Sequence, residues 1–134
     1  MPDCQDPPPP ELRRAVAEFN RREFFECHET LEALWLAERG PIRQLYQGIL
    51  QVGVGFLHLR RGNYAGATGV LANGLARLAP FGPTCLGLDL AALRAGAARC
   101  QAEILRLGPE GLKAFDARLL PELRLVADAS AGEA

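Results

Sequence analysis

Apolar residues recur with the period of an α-helix along almost the whole chain, and this pattern limits the fold more than any other feature of the sequence. In the first such stretch the positions i, i+3, i+4 and i+7 are all apolar, namely Leu12, Ala15, Val16 and Phe19. Strand signals are nearly absent, whereas the good helix formers Ala, Leu, Arg and Glu recur throughout. The sequence therefore predicts an all-α fold, a compact bundle of about five antiparallel helices with no sheet.

Glycine, proline and asparagine divide this pattern into separate helices. We expect helices at about 10–20, 23–38, 41–61, 63–78 and 89–107, with a further short helix near 109–115. A chain of 134 residues is expected to form a single domain. That domain covers residues 10–125, between a proline-rich lead-in at residues 1–9 and a frayed tail at residues 126–134.

A faint internal repeat relates two of the turns between helices. Residues 21–34 and 60–75 align at an offset of 39, which places His28 on Ala67. The segment RRGNYAGA resembles the inter-helix turn of tetratricopeptide repeats (TPRs), where a small alanine follows an aromatic residue at the helix contact. The sequence thus predicts TPR-like antiparallel helix pairs, with His28 in the place of a small inward-facing residue.

The stretch FFECHETLEALW sets two polar side chains, His28 and Glu32, one turn apart in an apolar helix. On a helical projection both lie in a stripe that also holds Phe24, Leu31 and Trp35. We therefore expect both side chains to point inward and to be energetically coupled, because a buried carboxylate needs a partner. The pair has three interpretations: a structural contact, the polar floor of a cleft, or part of a metal site.

The third helix carries a row of polar side chains, formed by Gln44, Gln47, Gln51 and His58. In one interpretation this row is an ordinary solvated face. In the other it faces the second helix and converges with His28 and Glu32. Three glycines on the same helix lower its propensity and favour close approach by another helix or a ligand: Gly48, Gly53 and Gly55.

These residues also carry a family resemblance. The segments FNRREFFECHETLEALW and YQGILQVGVGFLHLRRGNYAGA resemble the small bacterial and archaeal domain-of-unknown-function family DUF309, over about residues 19–72. The positions that match its motif are His28, Glu29, Glu32, Trp35, Gln47, Gln51, His58, Gly62 and Asn63. The resemblance implies an all-helical bundle and brings no established activity with it.

The first functional hypothesis is a binding module for a small polar ligand or a peptide. Its cleft would lie between the second and third helices, with Phe24, Trp35 and Tyr46 as walls. The candidate ligand-binding residues are His28, Glu29, Glu32, Trp35, Tyr46, Gln47, Gln51, His58 and Asn63.

The second hypothesis is a hydrolase in which His28 or Glu32, the two candidate catalytic residues, acts as general base. A divalent metal held by His28, Glu32 and His58 is a variant of it. The stretch HETLE lacks the second histidine of an H-E-x-x-H motif, which weakens a zinc-protease interpretation. The sequence requires no cofactor, since it has no phosphate loop, dinucleotide fingerprint or serine elbow.

The third hypothesis is an assembly protein in which the wide apolar surface of the third helix packs in a homodimer. A formal net charge of −1 without long charge runs argues against nucleic acid as a partner, and no apolar stretch is long enough to span a membrane. Because the chain starts without a secretory signal, we expect a cytoplasmic protein. Its four cysteines, Cys4, Cys27, Cys85 and Cys100, are then expected to be free thiols.

Overall fold

The computed structural model describes residues 2–126, and within them the fold is almost entirely helical. The helices are α1 (Pro10–Asn20), α2 (Phe24–Ala37), α3 (Ile42–Arg60), α4 (Tyr64–Leu78) and α5 (Leu90–Gly111). Consecutive helices pack against each other as antiparallel neighbours joined by short turns. The all-α class is confirmed, and the first four helices begin and end within one residue of the predicted positions.

The end of α5 contains the break that its glycine predicts. Gly108 has φ 70° and ψ 177°, so the regular helix stops there, and Pro109 opens a further turn that runs to Gly111. Two 3₁₀ turns follow, at Leu112–Ala114 and Ala117–Leu119. The predicted short helix near residues 109–115 therefore exists as this sequence of tight turns.

The expectation of no sheet is wrong in one place. Strands β1 (Thr84–Cys85) and β2 (Leu88–Asp89) form an antiparallel hairpin between α4 and α5. Its two central residues, Leu86 at φ 50° and Gly87 at φ 76°, are both left-handed, which is the backbone of the type I′ turn that joins twisted strands. A leucine rarely adopts this conformation, so the residue pair gave no hairpin signal in the sequence.

The expectation of four free thiols is also wrong. Cys4 and Cys85 form a disulfide across 81 residues of sequence, and the backbone N–H of Leu86 donates to the carbonyl of Cys4 at 2.8 Å. Cys27 and Cys100 are free and buried, as expected for small apolar core residues. Burial raises the pKa of the Cys27 thiol to about 12 and that of Cys100 to about 11, so both stay protonated and unreactive at neutral pH.

The chain after α5 crosses back over the turn between α1 and α2. The side-chain amide of Asn20 donates to the carbonyl of Leu123 at 2.9 Å and accepts from its N–H at 2.8 Å. Further along, Val126 N–H donates to the carbonyl of Gly87 at 2.7 Å, which ties this segment to the hairpin. Apart from its first residue, the predicted tail at residues 126–134 lies outside the described part of the chain.

The core of the helical pairs is built around three aromatic rings. Phe19, Phe24 and Phe56 are almost completely buried, and their ring centroids lie 5.3 to 6.1 Å apart in edge-to-face and tilted arrangements. These separations are favourable for aromatic pairs. The cluster joins α1, α2 and α3, and it fixes which face of α2 points away from the core.

Candidate functional site

His28 and Glu32 pair with each other, but on the surface. The His28 Nε2 atom lies 3.2 Å from Glu32 Oε2, and the two side chains are 31% and 48% exposed. The predicted i, i+4 contact is confirmed, whereas the prediction that both side chains are buried is wrong. An exposed helix pair of this kind contributes about 0.3–0.5 kcal/mol, so the strong coupling expected for a buried pair does not apply.

The buried face of α2 consists of Phe24, Cys27 and Leu31. The internal repeat explains why His28 was assigned to it. The left-handed residues of the two turns are Arg22 and Gly62, so the structural offset is 40 residues rather than 39. With this offset, Cys27 is the counterpart of buried Ala67. His28, which the predicted offset matched to Ala67, lies one residue further along α2. One residue is about 100° of helix rotation, enough to move a side chain out of the core.

Gln44 and Gln51 of the polar row of α3 face α4 instead of converging with His28. The Arg77 guanidinium donates from Nε to Gln51 Oε1 at 3.0 Å and from Nη1 to Gln44 Oε1 at 2.7 Å. His58 Nδ1 lies 3.2 Å from the side-chain nitrogen of Asn63, whose oxygen caps the start of α4. The predicted cluster of His28, Glu32, Gln51 and His58 is therefore divided between two sides of α3.

The close approach predicted from the α3 glycines is made by a helix. A Cβ atom on Gly48 would lie 2.7 Å from the Leu78 side chain, and one on Gly55 would lie 3.1 Å from Leu71. From the other side, a Cβ on Gly74 would lie 2.9 Å from the backbone nitrogen of Val52. These glycines let α3 and α4 pack backbone against backbone, and no ligand is needed to account for them.

The three-ligand metal set is not assembled. Within residues 2–126, no three His, Cys, Asp or Glu side chains are grouped closely enough to hold one metal ion. His58 lies near the C-terminal end of α3, beside Asn63. His28 and Glu32 pair with each other on α2. The described structure therefore does not bring His28, Glu32 and His58 together as one set of metal ligands.

Two of the three walls expected for a small-ligand cleft are part of the core. Phe24 is 1% exposed and Tyr46 is 3% exposed. Burial, followed by the charges of Glu38 and Glu11, raises the pKa of the Tyr46 hydroxyl, which therefore stays neutral. Both rings are therefore core residues that reach the surface only at the edges of shallow grooves.

The third wall, Trp35, lies half-buried where α2 meets α3. The Arg43 guanidinium lies 4.4 Å from the centroid of its ring, a cation–π contact, and Arg43 Nε donates to the Trp35 carbonyl at 3.2 Å. The indole Nε1 is enclosed and has no hydrogen-bond partner in the part of the chain that the structure describes. The surface therefore presents the ring of Trp35 and not its N–H group.

Large apolar side chains remain on the solvent side of these two helices. On α2, Phe25 is 49% exposed and Leu36 is 63% exposed. Gln47, Leu50, Val54 and Leu57 of α3 are all half-buried and follow at spacings of three and four residues, which places them on one stripe. Phe25 and Leu57 line one groove together, which joins the two helices' stripes into one surface.

We call this surface the α2–α3 face, and it consists of Phe25, His28, Glu32, Trp35 and Leu36 from α2 and Arg43, Gln47, Leu50, Val54 and Leu57 from α3. Among its members, sequence reasoning selected His28, Glu32, Trp35 and Gln47 as candidate site residues. It missed Phe25, Leu36, Arg43, Leu50, Val54 and Leu57. One signal for the missing residues was the adjacent pair Phe24 and Phe25, because neighbouring helix positions are about 100° apart and the narrow buried stripe of α2 holds only one of them.

A second concave feature lies between α1 and α2, a groove of about 640 Å³ lined by Glu11, Arg14, Glu29, Thr30, Ala33, Leu34 and Ala37. Beside it, Glu18 is 4% exposed, and its carboxylate accepts from the Thr30 hydroxyl at 2.7 Å. Arg14 Nε lies 3.5 Å from the other oxygen of Glu18. The polar groups here are satisfied within the chain, as is usual for buried charge.

Comparison with known proteins agrees with the resemblance seen in the sequence. Residues 12–70 match the sequence model of the domain of unknown function DUF309, which agrees with the predicted resemblance over that part of the chain. An uncharacterized protein of Bacillus subtilis (strain 168), YpuF, is 42% identical over 55 residues, or 40% of this chain and 32% of YpuF. The match thus covers about a third of the relative's length. Every helix within residues 2–126 is too short or too polar to span a membrane.

Proposed function

We propose that this protein, whose residues 12–70 match DUF309, is a protein-interaction module that docks another polypeptide on its α2–α3 face. The observation that supports this most directly is the exposure of Phe25 and Leu36 beside the apolar stripe of α3. A surface formed by two neighbouring helices suits an extended partner better than a small polar ligand. The aromatic walls expected around such a ligand, Phe24 and Tyr46, are in the core.

The energetic argument concerns apolar area left in water. Burying a Phe or Leu side chain completely contributes roughly 1.5–3 kcal/mol relative to leaving it exposed, so Phe25 and Leu36 represent a sizeable driving force for association. Leu105 on α5 is 55% exposed as well. Single exposed leucines are normal in proteins, whereas several on adjacent helices mark an interaction surface. The grouping therefore favours the α2–α3 face.

The charges around the apolar stripe support a specific orientation of the partner. The acidic residues Glu29 and Glu32 lie on the exposed side of α2, while Arg43 lies on α3 and Arg61 directly follows it. An acidic edge next to a basic edge favours partners with the opposite arrangement and disfavours others. The same groups would speed association at low salt.

Site-specific photocrosslinking in cells tests this proposal. A photoreactive phenylalanine analogue replaces Phe25 in one variant, Leu36 in a second and the control Leu105 in a third. We expect discrete covalent adducts from the first two positions and only background from the third, because only the first two are on the docking surface. Equal background at all three positions, in variants with unchanged helical circular dichroism, would remove the proposal. The adduct mass separates self-association from binding to another protein.

A further inference from the structure

We infer that the occupant of the α2–α3 face is a second copy of this chain, and this inference rests on the proposed docking function. The two copies form a dimer with two-fold symmetry in which two α2–α3 pairs face each other as a four-helix arrangement. Such an interface uses the same patch on both subunits, so the patch must be complementary to itself in shape and charge. The α2–α3 face meets both conditions.

The first condition is met by the spacing of its side chains. Gln47, Leu50, Val54 and Leu57 follow the three-four alternation of a coiled-coil seam. On α2, Phe25, His28, Glu32 and Trp35 repeat the same alternation. Both stripes lie beside the fully buried positions, and Trp35, Leu50 and Leu57 pack against the core with only part of their surface. A seam of this spacing is what helices of a second bundle pack against.

The second condition is met by the placement of charge. A two-fold axis parallel to the helices sets α2 of one subunit against α3 of the other at the same height. Trp35 contacts Arg43, and Phe25 lines a groove with Leu57, so these pairs mark equal heights at the two ends of the α2–α3 pair. Phe25 then opposes the partner subunit's Leu57. Glu32, one turn from Trp35, comes within reach of the partner subunit's Arg43.

The size of the face suits a stable dimer. The 14 residues of α2 and the 19 residues of α3 lie side by side. At about 1.5 Å per residue and about 10 Å per helix diameter, the face measures roughly 20 Å by 20 Å. With the relief of its side chains it would bury on the order of 600–800 Å² per subunit, near the value of about 800 Å² for standard specific interfaces.

The test is a pair of charge reversals measured by sedimentation equilibrium over a range of protein concentrations. The unaltered protein is expected to dimerise. Glu32→Arg alone and Arg43→Glu alone each place like charges across both symmetric contacts, so each should weaken the dimer by roughly tenfold or more. An equimolar mixture of the two variants restores opposite charges at both contacts and should regain the dimer. Glu11→Arg, an exposed change on α1 outside the α2–α3 face, is the control for altered net charge.

Rescue in the mixture separates an interface contact from a structural one. Arg43→Glu also removes the cation–π contact with Trp35, but loss of that contact within one chain cannot be repaired by adding another chain. An unaltered protein that stays monomeric would overturn the inference. So would a dimer that resists both reversals, or a mixture that does not recover. A monomer that still gives adducts to another protein from positions 25 and 36 would leave the proposed docking function intact.

Discussion

The turn between α1 and α2 and the turn between α3 and α4 have the same backbone but different side chains. Arg21 and Arg61 end the first helix of each pair with nearly equal dihedral angles, φ −82° and −87° with ψ near 0°. The next residue is left-handed in both turns, Arg22 at φ 66° and Gly62 at φ 73°. Glycine adopts this conformation without strain, whereas for arginine it costs roughly 1–2 kcal/mol.

The strained arginine is held by the distant end of the chain. Arg22 donates from Nη1 to the carbonyl of Pro121 at 2.8 Å and from Nη2 to that of Leu120 at 3.0 Å. The second turn needs no such support, because Asn63 caps the start of α4 by accepting from Gly66 N–H at 2.9 Å. The α1–α2 pair thus depends on residues far away in sequence, while the α3–α4 pair is specified locally.

The helix contacts differ in the same way. Ala15 of α1 occupies the position that Gly55 occupies in α3, 40 residues later, and its Cβ is accommodated there. The α3–α4 pair is closer, since a Cβ on Gly55 would lie 3.1 Å from Leu71. On the α1 side, the disulfide between Cys4 and Cys85 ties the segment that leads into α1 to the hairpin. The comparison suggests that tethers in one pair replace close packing in the other.

The largest effect is expected from removing the disulfide. Cys4→Ser and Cys85→Ser together free a loop of about 80 residues in the unfolded chain, and we expect a loss of about 2–4 kcal/mol in the free energy of unfolding. Denaturant titration of oxidised protein measures it. Adding a reductant should lower the stability of the natural chain by a similar amount and leave the double variant unchanged. Equal stability of the natural chain with and without reductant would contradict the role given to this tether.

The next largest effect concerns the close α3–α4 contact. In Gly74→Ala the new methyl group would lie 2.9 Å from the Val52 nitrogen and 3.0 Å from the Gly48 oxygen. Forcing the helices apart should cost about 1–3 kcal/mol, even though alanine favours the helix. Gly69→Ala is the matched control, since a Cβ there meets open space, and it should gain about 0.5–1 kcal/mol. Thermal melts that move in the same direction for both would refute the packing argument.

A smaller effect is expected at the left-handed residue of the first turn. Arg22→Gly relieves the backbone strain but removes two charge-assisted hydrogen bonds, and such bonds contribute about 1.5–3 kcal/mol each at most. Because Arg22 is only half-buried, water replaces part of this bonding, and we expect a net loss of about 1 kcal/mol. Gly62→Ala, in a turn with open space around it, should lose about 1 kcal/mol from strain alone. A gain in stability for Arg22→Gly, measured by urea titration, would mean that the two hydrogen bonds contribute less free energy than the left-handed backbone costs.

These contrasts show why the sequence predicted some parts of the molecule and not others. The ends of α1 to α4 follow from local signals such as Gly40 with Pro41 and Gly62 with Asn63, so they were predicted to within one residue. The pairing of Cys4 with Cys85 and the anchoring of Arg22 join distant segments, and spacing alone carries no record of them.

The candidate site was predicted in part for a related reason. The choice of His28 and Glu32 as a pair needed only their spacing and is confirmed, but their orientation depended on the register of the repeat. Gly62 marks the left-handed position in the second turn, whereas an arginine occupies it in the first. Because that arginine conceals the equivalence, the register was set one residue off.

The smallest effect expected is a gain from giving the first pair the cap that the second pair has. Glu23 and Asn63 precede α2 and α4 with similar backbone angles, but only Asn63 caps its helix with its side chain. Glu23→Asn should therefore stabilise the protein by about 0.5 kcal/mol, because a new cap contributes up to about 1 kcal/mol and the exposed Arg21–Glu23 ion pair that is lost contributes little. Glu23→Ala loses the same ion pair without gaining a cap and should change stability by less than the asparagine variant. Urea titrations of the two variants measure the difference, and Asn63→Ala is the reverse change, expected to lose about 1 kcal/mol.

Equal stability of the Glu23→Asn and Glu23→Ala variants would show that the first turn cannot use a local cap. Its dependence on distant residues would then be a property of its backbone and not of the side chain at position 23.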